Sequence, residues 1–387
     1  MSTGPLDGIK VIDVAGAVAG PWASSQLAEQ GADVIMIEKV GVPDVMRLTG
    51  PVVGDQSGSW VSIHRNKRSM DLDIRSPEGK AILMQLVDDA DVFVQNFRPG
   101  VAERLGIGYD DLSARNPELI YLSVSGFGPD GPYSKQPVYD PIIQALSGMT
   151  EAQNGDFVKA VVVDKTTAMV GAQAILCALV ARAGGAGGQH ITVNLLDTMM
   201  WWMWMECYWN ESVPDVEPTP TYSEWYSPYN TSDGQIAANW TNFKQYKAAC
   251  EALGRPELAD DPRFATRDAR IRNGQAQRDE FGAILKNFTR DEAIKVLTEH
   301  DVPCAPVLSR SEVFSDPQVV HNNSVIEQEH PVAGRTRTIQ PPARFSKTPT
   351  KLHRQAPQKS EHTEEILAEL GLDAAAIASL KDAGIAG

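Results

Sequence analysis

Between residues 9 and 124 short apolar runs alternate with segments that read as helices, and no other feature limits the fold so tightly. Ile9-Lys10-Val11-Ile12-Asp13-Val14 and Asp33-Val34-Ile35-Met36-Ile37-Glu38 read as buried strands flanking a helix over Pro21 to Gln30, with a proline suited to its first turn. Another helix opens at Ser76-Pro77-Glu78 and runs to about Asp89, and Asp91 to Val94 is a strand. Leu119 to Val124 is one more, after a short helix near Asp110. Parallel strands need crossover connections, so the expected class is α/β: a large Rossmann-like domain whose parallel sheet is covered by helices on both faces. Its site belongs at the carboxyl ends of the strands.

Beyond Tyr139 the pattern changes. Asp140 to Gly148 and Asp164 to Arg182 read as helices, the second small and apolar on most faces as a buried helix is, and His190 to Leu195 as a strand. The expected division is a first part of the large domain over 1–200, a linker over 201–225 and a smaller α+β domain over 226–325. A second linker covers 326–350, and 351–387 returns to the large domain through a helix over Thr363 to Leu370.

The chain carries 50 acidic against 35 basic residues, a formal charge of −15 over 387 positions. That field repels nucleic acid and anionic lipid, and neither is an expected partner. Met1-Ser2-Thr3-Gly4-Pro5 lacks the pattern of a secretory leader, and the longest apolar run, Val170 to Ala181, falls short of the roughly 20 residues of a membrane span. Four scattered cysteines point to a reduced, cytoplasmic setting, and the seven histidines show no metal-ligand spacing.

Four motifs carry chemistry. Gly126-Phe127-Gly128-Pro129-Asp130-Gly131 matches a dinucleotide fingerprint in letters, but Pro129, Pro132 and Pro137 prevent the helix whose N-terminus would hold pyrophosphate, so a turn is expected. His64-Arg65-Asn66-Lys67-Arg68-Ser69, with Arg75, Arg98 and Arg104, reads either as solvated surface charge or as a site for a small phosphorylated ligand. Asp164, after Val161-Val162-Val163, suits a helix N-cap, and a carboxylate at the positive end of a helix stays ionised, as a nucleophile requires. Trp201, Trp202, Trp204 and Trp209, among Met200, Met203 and Met205, read as core or subunit interface before an acyl pocket.

Several blocks together resemble the class III CoA-transferases, the formyl-CoA and carnitine CoA-transferase family. They are Pro5-Leu6-Asp7-Gly8, Ala19-Gly20-Pro21, Gly31-Ala32-Asp33-Val34, Asn66-Lys67-Arg68-Ser69, Gln95-Asn96-Phe97-Arg98-Pro99-Gly100, Ser125-Gly126-Phe127-Gly128 and Asp301-Val302-Pro303-Cys304-Ala305-Pro306. The resemblance covers essentially the whole chain and implies transfer of CoA from an acyl-CoA thioester to a free carboxylate. It implies Asp164, after an Ala160-Val161-Val162-Val163 strand, as the nucleophile, passing through an aspartyl mixed anhydride and an aspartyl-CoA thioester. It maps CoA contacts onto Lys39, Leu72, Arg75, Asn96, Phe97 and Arg104, with Lys39 where relatives often carry arginine. It further implies an interlocked homodimer and CoA as substrate, with no tightly bound cofactor and no metal. Formyl-CoA transferases carry glutamine where Val18 stands and a glycine-rich loop that has no counterpart here. The related α-methylacyl-CoA racemases carry histidine where Tyr139 stands. A phenol of pKa near 10 is a poor base, so racemization is disfavoured, and an intact Asp164 argues against a non-catalytic CoA-binding protein.

Overall fold

The computed structural model describes residues 4–221 and 226–387, and the chain divides into two compact units, residues 1–202 with 323–387 and residues 203–322. The larger unit is built on six strands: β1 (Lys10–Asp13), β2 (Asp33–Glu38), β3 (Lys67–Asp71), β4 (Val92–Gln95), β5 (Ile120–Ser125) and β6 (Gln189–Asn194). All pairings are parallel, in the order β3-β2-β1-β4-β5-β6, with registers such as Ile12↔Ile35 and Ile12↔Phe93. The order reverses between β1 and β4, which opens a crevice at their carboxyl ends.

Alternation along the strands separates two cores. Ile12, Val14, Ile35, Ile37, Phe93 and Tyr121 pack with Leu83 and Val87 of helix α2 (Pro77–Asp88), Leu112 of α3 (Tyr109–Arg115) and residues from the end of the chain. The opposite face meets α1 (Ala19–Glu29) and the long helix α5 (Val162–Ala183), beyond the short helix α4 (Asp140–Leu146). Gly171 lets α5 come close, since a Cβ there would lie 3.2 Å from Leu122 and 3.6 Å from Ala23. Local signals set the ends: Ser76 Oγ accepts the N–H of Gly79 at 2.9 Å, and Pro77 occupies the first turn of α2.

In the smaller unit, β7 (Tyr229–Asn230), β8 (Gln235–Ala238) and β9 (Cys304–Pro306) form an antiparallel sheet in the order β9-β8-β7. The unit's longer helices are α7 (Phe243–Ala252), α8 (Gly274–Leu285) and α9 (Arg290–Glu299), the last opened by a capping box of Thr289 and Glu292. The core gathers Trp240, Tyr246, Phe264 and Phe281.

The structure departs from the sequence reading in four places. Residues 67–71 of the basic stretch form a buried strand; Lys67 is 0% exposed and bonded to Asp13 at 3.0 Å. Arg68 reaches Asp33, Glu365 and Glu369, and Arg65 pairs with Glu29. The stretch is therefore neither solvated surface nor a phosphate site. Val162 and Val163 open helix α5 where a strand was expected. Helix α6 (Leu195–Cys207) runs into the expected 201–225 linker, whose positions 222–225 lie outside the described residues, and the hairpin β10 (Val325–His330) with β11 (Gly334–Ile339) fills much of 326–350. Finally, α5, at 22 residues, is long and apolar enough to cross a membrane by length and composition, yet Ala168, Ala172 and Ile175 are buried within the protein.

Candidate active site

The carboxyl ends of β1, β4 and β5 meet the start of α5 around a cavity of about 230 Å³ lined by Ala17, Asn96, Phe97, Arg98, Tyr139 and Asp164, among others. The loop after β1 is held from two sides. The Asn96 amide accepts from the Gly16 N–H at 2.9 Å and donates to its carbonyl at 2.7 Å, while Asp44 accepts from the Ala17 N–H at 2.9 Å. These bonds keep Ala17 in the left-handed region at φ 61°, which its Cβ disfavours. Phe97 follows β4 with its N–H bonded to Gln95 at 2.7 Å and its ring packed on the core. On the β5 side Gly126 is required by space: a Cβ would lie 2.2 Å from Val138. The expected turn at 126–131 is present, with Gly128 at φ 99° and Gly131 at φ 87°.

Asp164 is not the cap of α5 but its third residue. The capping role falls to Asp140, 6% exposed, whose carboxylate accepts from the Val163 N–H at 2.7 Å and from Gln144 Nε2 at 2.6 Å. Gln144 in turn accepts from the Val158 N–H at 2.9 Å and so ties down the segment leading into α5. Burial first, and the neighbouring Asp140 carboxylate second, raise the Asp164 pKa to about 6 against the opposing effect of its own N–H. A group titrating there is about nine-tenths ionised at pH 7. The arrangement presents a carboxylate, partly stripped of water, to a cavity lined by the Arg98 cation and, among the described residues, by no histidine.

Asn96, Phe97, Tyr139 and Asp164 are brought together at this cavity; Val18 stands between lining residues Ala17 and Ala19 but does not itself line it. Tyr139 is 77% exposed. Lys39, Leu72, Arg75 and Arg104 do not line the cavity. Lys39 and Leu72 follow β2 and β3, where the Leu72 N–H bonds to the Glu38 carbonyl at 3.0 Å. Leu72 is 1% exposed and bridges Ala386, so its side chain belongs to the core. Lys39, Arg75 and Arg104 are exposed on the same carboxyl edge of the sheet, and three strand intervals separate β3 from β4, about 15 Å. Sequence reasoning missed Asp140, whose only signal was its place beside Tyr139, and counted Arg98 only within the basic group read as surface charge or as a phosphate site.

A family model described as CoA-transferase family III matches residues 6–363. The chain belongs to the class III CoA-transferases. It is 32% identical over 401 residues to human succinyl-CoA:glutarate CoA-transferase, covering 98% of this chain and 90% of that protein. To the formyl-CoA:oxalate CoA-transferase of Escherichia coli O139:H28 it is 30% identical, covering 98% and 99%. Among solved structures, a CaiB/BaiF family protein from Brucella suis superposes with a TM-score of 0.82 at 31% identity, over 95% of this chain and all of the other. This class III CoA-transferase therefore works on CoA thioesters and carboxylates.

Proposed function

We propose that Asp164 transfers CoA through covalent intermediates on its own carboxylate. The supporting observation is its position: ionised at neutral pH, half-buried, and facing the cavity at the carboxyl edge of the sheet. The carboxylate attacks the donor thioester carbonyl and expels CoA thiolate, leaving an aspartyl mixed anhydride. The thiolate then attacks the aspartyl carbonyl, releasing the donor acid and leaving an aspartyl-CoA thioester. The acceptor carboxylate repeats the sequence in reverse and takes the CoA. No proton is gained or lost over the cycle, so the chemistry needs no general base, and burial supplies the low-water surroundings that protect an anhydride. Donors at the N-terminus of α5 are placed to stabilise charge developing on the attacked oxygen. Arg98 at the cavity and Lys39, Arg75 and Arg104 along the edge are the cations for the phosphates of CoA.

Incubation with donor acyl-CoA followed by hydroxylamine or borohydride and peptide mass spectrometry is expected to find the label on Asp164. Transfer without label on the peptide carrying Asp164 would overturn the covalent route. A 2-methylacyl-CoA is expected to take up no solvent deuterium at its α-carbon, because Tyr139 stands where a racemase needs a histidine base.

The homodimer is part of the same reading. Trp201, Trp202, Trp204 and Met205 on α6 are exposed at 66%, 47%, 44% and 69%, an apolar load that a second copy of the chain would cover. Sedimentation is expected to give twice the mass of the chain.

A further inference from the structure

The smaller unit holds a second, roomier cavity of about 940 Å³. Three guanidinium groups, Arg267, Arg270 and Arg278, line it, and among the described residues its lining contains no aspartate or glutamate. In a chain with 15 excess negative charges this is an unusual concentration. Three other arginines of the unit are paired with acids: Arg263 with Asp261 and Glu280, Arg255 with Glu257, Arg290 with Glu312. Among the described residues, Arg267 and Arg270 have no such partner. They lie three apart on the helix Arg267–Arg272 and so share a face. Arg270 is held by the Phe264 carbonyl at 3.0 Å and lies over the Tyr246 ring, while Arg267 is exposed.

The wall also contains a buried donor with nothing to donate to. The Trp240 indole N–H gives its proton to Gln277 Oε1 at 2.9 Å. An indole nitrogen can only donate, so the bond fixes which end of the amide is oxygen. Gln277 Nε2 is thereby committed as a donor, and it is buried without a hydrogen-bond partner. Such a group calls for an acceptor. Two guanidinium groups without carboxylate partners and an orphaned amide N–H on one cavity all ask for oxyanion oxygens, and Trp240, Ile271 and Ala238 supply apolar wall for a carbon skeleton.

We propose that this cavity is a binding site for an organic acid, whose carboxylate is held by Arg267, Arg270 and Gln277 and whose carbon chain rests against Trp240 and Ile271. The anion site stands on the geometry alone; the choice of a free acid over a phosphate rests on the transferase reading, in which carboxylates are substrates.

The test is calorimetric titration of glutarate and of CoA into the full-length protein, comparing the unmodified chain with Arg267→Ala and Gln277→Glu. The second variant keeps an oxygen for the Trp240 N–H and replaces the orphaned donor with a repelling carboxylate, so its fold is preserved while its anion affinity is not. Glutarate affinity is expected to fall at least tenfold in both variants, with CoA affinity unchanged and Asp164 still labelled by donor acyl-CoA. Equal glutarate affinity in all three proteins, or no glutarate binding to the unmodified chain, would overturn the proposal. A fall in CoA affinity with glutarate affinity unchanged would overturn it as well, because the oxyanion would then be a phosphate. Failure of the Asp164 label in the unmodified chain would count against the covalent mechanism and leave the anion site standing.

Discussion

Asp164 titrates near neutrality because burial and the Asp140 carboxylate both penalise its charge. The pH dependence follows directly: only the ionised form attacks, so kcat/KM is expected to fall as pH drops through about 6. Asp140→Asn removes the like charge while keeping an oxygen for the Val163 N–H, so the acid limb is expected to move to lower pH; an unmoved limb would show that Asp140 does not act on Asp164. The same shift has a stability consequence. Between the ordinary value of 3.8 and the folded value of about 6, the native state holds a proton that the unfolded chain releases, so stability falls as pH rises through that window. Asp164→Asn is therefore expected to abolish transfer yet raise the unfolding free energy at pH 7 by on the order of 2 kcal/mol, read by urea denaturation.

Strand β3 carries a lesson for elements. Its residues Lys67 and Arg68 look like surface, yet Lys67 sits beneath the loop after β1, bonded to Asp13 and, at 2.7 Å, to the Pro21 carbonyl. Asp13 also accepts from the Ala15 N–H at 3.0 Å and from Ser24. The pair thus joins β1, β3 and α1 directly below the loop that bears Ala17. Burial lowers the Lys67 pKa, and Asp13 opposes the shift. Lys67→Met strands a buried carboxylate and is expected to cost about 3–5 kcal/mol, with part of the loss recovered in the double variant Asp13→Leu/Lys67→Met. A loss under about 1 kcal/mol would contradict a coupled pair. Strands β1, β2, β4 and β5 were legible because their apolar runs are continuous. β3 was not, because its charges are neutralised by acids far away in sequence, Asp13, Asp33 and Glu369.

At the scale of the whole molecule, the larger unit is closed by both ends of the chain. Helices α10 (Thr363–Glu369) and α11 (Ala374–Asp382) place Ile366, Leu367 and Ile377 in the core against Ile37, Met70 and Leu83, and the Asp71 N–H bonds to Thr363 Oγ1 at 3.1 Å. Leu367, 0% exposed, is expected to cost about 3 kcal/mol on change to alanine, measured by chemical denaturation of the full chain. The sequence by itself determined the α/β alternation, the glycine turn at 126–131 and the family blocks, because periodicity, backbone sterics and short motifs are local properties. Only the tertiary structure decided that Asp140 caps α5 and presses on Asp164, that the basic stretch is buried, and that Arg267, Arg270 and Gln277 share a cavity. Each of those depends on which groups meet in space, and it is the distance between charges and their removal from water that turns a residue type into a function.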